Sequence, residues 1–125
     1  MPIVDVEIVS RDGGLPHGTA NKLADAIGAA LEAPIGATWV RVRVLDADRY
    51  AESGTATGIR PVFVSILRRT LPDLGARASM SRAVASAVSA ILGRPHENVH
   101  VIWEPEGAGR VAFGGELVPP DEPER

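Results

Sequence analysis

The chain has 125 residues, 45% hydrophobic and only 4% aromatic, with a net charge of −3; this fits one globular domain and leaves no electrostatic footprint for nucleic acid. It has no cysteine, which excludes disulfides, thiolate catalysis and cysteine-ligated metals. No charged start leads into an apolar run and no stretch approaches about 18 apolar residues, so no secretory signal or membrane partner is expected, and the expected location is cytoplasmic.

The first predicted element is a strand, Pro2-Ile3-Val4-Asp5-Val6-Glu7-Ile8-Val9, rich in β-branched residues. Proline can begin such a strand at no hydrogen-bonding loss. If Met1 is removed, Pro2 also presents a secondary amine, a base or nucleophile that needs no second side chain to activate it. The N-terminus is therefore a candidate catalytic site. A turn-rich stretch, Arg11-Asp12-Gly13-Gly14-Leu15-Pro16, leads into a helical pattern in which Leu23, Ile27 and Leu31 recur at four-residue spacing, with Ala20, Ala24 and Ala30 on or beside the stripe. The helix is expected to stop at Glu32-Ala33-Pro34, because proline cannot continue it.

A second strand follows, Trp39-Val40-Arg41-Val42-Arg43-Val44-Leu45. Alternation sends Val40, Val42 and Val44 one way and Trp39, Arg41, Arg43 and Leu45 the other. A polar linker, residues 46–60, carries Tyr50, which can donate to a substrate oxygen or pin the loop.

At an offset of about 60 residues the pattern repeats. Pro61-Val62-Phe63-Val64-Ser65 opens the second half as a strand that ends near Arg68 and Arg69, and Thr70-Leu71-Pro72-Asp73-Leu74-Gly75 forms the turn. Val84, Val88 and Leu92, flanked by Met80, Ala87 and Ile91, make the second helical stripe, which closes at Gly93-Arg94-Pro95. The fourth strand is Asn98-Val99-His100-Val101-Ile102-Trp103. Gly107-Ala108-Gly109 and Gly114-Gly115 bracket Arg110-Val111-Ala112-Phe113, a short hairpin or arm, and residues 119–125 read as a loose tail.

The expected fold is therefore α+β: two β-α-β units, residues 2–45 and 61–117, in one domain spanning 1–118. Helices of about 15 residues allow right-handed crossovers, which put both helices on one face of a four-stranded mixed sheet. The other face then needs a cover, and oligomerisation supplies one. Arginines inside such an interface are costly unless an anion or carboxylate pairs with them, which points to a site between subunits. Trp103 and Phe113 can line an apolar wall or belong to the core. His17, His96 and His100 have no metal-ligand spacing, and neither metal nor cofactor is expected.

The Pro2 start, the duplicated unit and the glycine-flanked hairpin together resemble the tautomerase superfamily, whose type member is 4-oxalocrotonate tautomerase. Residues 2–118 are similar to members that look like two short units fused and that form trimers. Asn98 through Leu117 carries the most specific part of the likeness, in Val99-His100-Val101-Ile102 and Phe113-Gly114-Gly115-Glu116-Leu117. The resemblance implies that Pro2 is a general base shifting a proton in a small enol or 2-oxo carboxylic acid, with arginines holding the carboxylate and sites at the interfaces of a homotrimer. By position, Arg41 matches the family's second-strand arginine, and Arg11 lies near the other arginine of the short members. Arg69 and Arg68 stand where hydratase and decarboxylase members bind carboxylate, and Arg43 shares a face with Arg41.

The chain also departs from the pattern. Pro61 has its nitrogen locked in a peptide bond, so fusion halves the number of proline sites. Ala37 stands where decarboxylases have an aspartate, Ala112 where dehalogenases have a glutamate, and Val111 where the short members have a phenylalanine. A hydratase, dehalogenase or decarboxylase of a small unsaturated acid is the alternative enzyme. A non-catalytic, ligand-binding ferredoxin-like module is the alternative from another class, since it has the same element order.

Overall fold

The computed structural model of the chain describes residues 2–54 and 58–120; Met1, part of the linker and the end of the tail lie outside the described residues. The elements run β1 (Ile3–Ser10), α1 (Thr19–Ala30), β2 (Trp39–Asp46), β3 (Val62–Leu67), α2 (Leu74–Leu92), β4 (Val99–Trp103) and the short strands β5 (Ala112–Phe113) and β6 (Glu116–Leu117). Strands β1 to β4 form one mixed sheet in the order β2-β1-β3-β4. Within each half the strands pair in parallel, while the two halves meet through the antiparallel β1–β3 ladder.

That ladder relates the halves as well as joining them. Ile3 faces Leu67 and Ile8 faces Val62. Advancing the core residues Val4, Val6 and Ile8 by 58 positions gives Val62, Val64 and Ile66, which face the same core, as an approximate two-fold axis normal to the sheet requires.

One face of the sheet supplies the core. Val4, Val6 and Ile8 of β1 and Val62, Val64 and Ile66 of β3 are buried against Leu23, Ile27 and Leu31 from the first helical segment and Val84 and Val88 from α2. These are the stripes that the four-residue spacing predicted, and their burial is what keeps both helices on this face. Trp103 is tied across the layers, its Nε1 donating to Ser81 Oγ at 2.9 Å.

The boundaries differ in instructive places. Helix α2 starts at Leu74, inside the stretch expected as a turn, because Asp73 caps it: its Oδ1 accepts from the Ala76 amide at 2.8 Å. The last turn of α1 closes with Glu32 at φ 56°, a left-handed position reached without glycine. Gly114 and Gly115, at φ 57° and 87°, make the β5–β6 turn, which needs positive φ at both central residues. No described helix is long and apolar enough to cross a membrane.

Candidate functional site

The face of the sheet away from the helices carries Ile3 and Asp5 from β1, Trp39, Arg41 and Arg43 from β2, Phe63, Ser65 and Leu67 from β3, and His100 and Ile102 from β4. Trp39 and Ile102 stay about half exposed, at 55% and 47%. The face mixes apolar and polar side chains, and among the described residues the C-terminal arm packs over its Trp39 end.

At the Pro2 end of this face lies a cavity of about 290 Å³ between the sheet and the C-terminal arm. Ile3, Arg41, Ser65 and Leu67 form its floor, and Glu104, Arg110 and Val111 form its wall. A second cavity of about 410 Å³ continues from it over Ile3, Arg41 and Val111 to Trp39 and Phe113. The arm is held here by an edge-to-face contact of Trp39 with Phe113, centroids 5.3 Å apart, and by amides of Gly107 and Ala108 that donate to the carbonyls of Arg68 and Arg69.

Pro2 sits immediately before Ile3, at the head of a central strand. Its residue is buried, and its carbonyl accepts from the Trp39 amide at 2.9 Å. Alternation puts its ring on the helix side with Val4, so it borders the cavity without lining it. The β1–β3 register, continued by one residue, sets Pro2 opposite Arg68. The Arg68 guanidinium turns to the helix side as well, its Nη1 3.4 Å from the Leu31 carbonyl and 3.6 Å from Met80 Sδ. It caps the C-terminal end of α1, where a cation is favoured.

Arg41 does line the cavity, but it is not alone there. Its Nε donates to Asp5 Oδ1 at 2.6 Å and its Nη2 to Asp5 Oδ2 at 2.9 Å. The hydrogen bond and the charge of Asp5 raise the guanidinium above its usual pKa. Arg110, from the arm, makes no ion pair among the described residues and is the second cation on the wall. Sequence reasoning missed it, together with Asp5 and Glu104. A lone charged residue between the glycines of the arm was the available signal.

The other expected residues lie elsewhere. Arg69 is exposed and lines neither cavity. Arg43, opposite Glu7, is one full pleat farther along β2. Tyr50 leaves the sheet after β2, packs on Phe63 at 5.9 Å and donates to Glu52 Oε2 at 2.6 Å, which with burial raises its phenol above the usual value. Arg11 is at the far end of β1, and that 8-residue strand spans about 26 Å. Among the described residues no group of three or more His, Asp or Glu has the arrangement of a metal site.

No protein-family model and no curated protein matches the chain. Solved structures do. A fused 4-OT described as a symmetric trimer superposes with a TM-score of 0.76 at 20% identity, covering 93% of this chain and 94% of that one. Macrophage migration inhibitory factor from Oncomelania hupensis gives 0.71 at 19%, covering 94% and 82%. The FG41 malonate semialdehyde decarboxylase inhibited by 3-bromopropiolate gives 0.68 at 13%, covering 90% and 88%. The chain therefore has the fold these proteins share, over nearly its whole length.

Proposed function

We propose that the chain, whose fold is that of the tautomerase superfamily, is a cofactor-independent tautomerase acting on a small enol or 2-oxo carboxylic acid, assembled as a homotrimer with its sites at subunit interfaces. The observation that carries this reading is the position of Pro2: buried at the head of a central strand, opposite Arg68, and one residue from a cavity that holds Arg41 and Arg110.

Once Met1 is removed, burial and the nearby Arg68 charge both disfavour the charged amine, so a neutral fraction is available near neutral pH. The Pro2 nitrogen takes the proton from the enol oxygen and returns it to carbon, a 1,3-shift, or a 1,5-shift in a dienol. Arg41 and Arg110 hold the carboxylate and the developing oxyanion through charge-assisted hydrogen bonds. Arg68 and Arg69 follow β3 at this end, Arg68 turned to the helix side with Pro2 and Arg69 exposed outside both cavities. Arg43 and Tyr50 meet such a site only from a neighbouring subunit, Arg11 lies a strand's length away at the other end of the sheet, and the exposed Trp39 and Ile102 belong to the subunit interface.

One observation favours a second enzymatic reading. Asp5 and Glu104 share the cavity and are groups able to orient water. Hydration, dehalogenation or decarboxylation of a small unsaturated acid would use them, and release of halide or carbon dioxide identifies those reactions.

The test is ketonisation of an enolpyruvate-type acid, together with intact-mass analysis of the N-terminus and labelling by 3-bromopropiolate. Loss of Met1, covalent labelling at Pro2 and a fall in kcat/KM of about 100-fold or more in Pro2→Ala support the assignment. A retained Met1, or unchanged turnover in Pro2→Ala, overturns it and leaves the ligand-binding module as the reading.

A further inference from the structure

The approximate two-fold axis that maps Val4 onto Val62 also maps the Pro2 end of the sheet onto its opposite end, where Pro61 precedes β3. At the first end, removal of Met1 would uncover an amine. At the second, Arg60 precedes Pro61, and the Pro61 nitrogen is sealed in their peptide bond. What stands there instead is a cavity of about 340 Å³ whose wall carries three arginines, Arg11, Arg60 and Arg94, with Ser10, Asp12 and Asn98 between them.

These cations are poorly compensated. None of the three makes an ion pair among the described residues, so Asp12 lines the cavity without neutralising them. The Arg60 Nε is buried with no hydrogen-bond partner, a costly state for a charged donor. Arg94 leans on the Arg60 backbone, its Nη1 2.6 Å from that carbonyl, which holds the two guanidinium-bearing residues together. Burial lowers the Arg94 pKa and the neighbouring Arg60 charge lowers it further.

We infer that this cavity is a binding site for a small oxyanion, a carboxylate or phosphate, held by Arg60, Arg94 and Arg11 and separate from the Pro2 cavity. An oxyanion here offsets the uncompensated charge of the three arginines, and the planar guanidinium fork matches its paired oxygens. Ser10 and Asn98 add neutral donors at the rim, and the volume is at the lower end of the range for small-ligand pockets. The site rests on this geometry and not on the proposed reaction.

The test follows backbone amide shifts by NMR in the full-length protein titrated with malonate, with inorganic phosphate and with uncharged malonamide. Saturable shifts at Ser10, Asp12 and Asn98 with either anion and none with malonamide are expected, and the tighter anion names the ligand class. Arg60→Gln weakens this binding by about tenfold or more, while Arg60→Lys, which keeps the charge, recovers part of it. Thermal melting checks that both variants fold. Turnover of the enol acid stays unchanged in Arg60→Gln if the Pro2 assignment also holds. Shifts confined to the neighbourhood of Ile3, Ser65 and Val111, or unaltered affinity in Arg60→Gln, overturn the site; loss of turnover in Arg60→Gln overturns its separateness from the Pro2 cavity.

Discussion

Arg41 and Asp5 are register partners on neighbouring strands, and their side chains meet on the face of the sheet away from the helices, with both carboxylate oxygens engaged at 2.6 and 2.9 Å. A guanidinium held in this way is oriented, but it is also partly satisfied before any substrate arrives. Its side chain remains 70% exposed, so the pair is open to water and to screening by salt. If Arg41 grips a substrate carboxylate, Asp5 competes with that substrate. Asp5→Asn is then expected to lower KM by roughly two- to fivefold, the scale of an exposed ion pair, whereas Arg41→Ala raises it by about tenfold or more. Steady-state kinetics at low and moderate salt checks both; a rise in KM for Asp5→Asn would overturn the competition, and a fall in kcat would assign the carboxylate to catalysis.

Tyr50 gives a clean spectroscopic handle, since it is the chain's single tyrosine. Its hydroxyl donates to Glu52, and this bond is the largest cause of its raised pKa, followed by burial and the Glu52 charge. The neutral phenol is the favoured form, so what the bond contributes is present below the ordinary value of about 10 and is lost as pH rises through the folded-state value. Tyrosinate absorbance in an alkaline titration is expected to appear at lower pH in Glu52→Gln than in the parent protein. An identical midpoint would show that the bond does not persist in solution.

Thr38 precedes β2, and its Oγ1 is buried with no partner among the described residues. It stands beside Gly28 of α1, where an added Cβ would lie 3.0 Å from that hydroxyl. The hydroxyl costs desolvation and returns no hydrogen bond. Thr38→Val keeps the branched shape and is expected to raise unfolding stability by about 1 kcal/mol. Gly28→Ala should do the reverse despite the better helix propensity of alanine, because the added methyl meets the Thr38 Oγ1 and Cβ at 3.0 and 3.4 Å and that β-branched side chain has few rotamers to move into. Chemical denaturation of the two variants separates these signs.

Ile102 lies on the face away from the helices at 47% exposure, with Trp39 on the opposite edge strand. Ile102→Glu places a charge in the proposed subunit interface and is expected to shift a trimer toward monomer in light scattering coupled to size exclusion. Turnover falls with it if sites are shared between subunits. A variant that remains trimeric, with activity retained, would move the interface off this face.

Much of the fold was legible because the signals were local and repeated. The four-residue stripes of Leu23, Ile27 and Leu31 and of Val84 and Val88 became the buried helix faces, and the valines of β1 and β3 alternated into the same core. The start of α2 was less legible, since Asp73 acts as a cap only when its carboxylate finds the Ala76 amide. Among the candidate site residues the limit was register. Alternation alone did not say which of Arg68 and Arg69 turns toward the helices, and it took Leu67 facing Ile3, with the Leu31 carbonyl within reach, to direct Arg68 there.

The sequence by itself determined the duplicated β-α-β order and the helix faces, because these depend on periodicity along the chain. Only the tertiary structure decided which charges meet. Asp5 reaches Arg41 across a strand pair, Arg110 returns on the arm to line the same cavity, and Arg11 is carried the length of β1 away to join Arg60 and Arg94. Such neighbours are set by strand order and register, which bring together residues that are far apart in sequence.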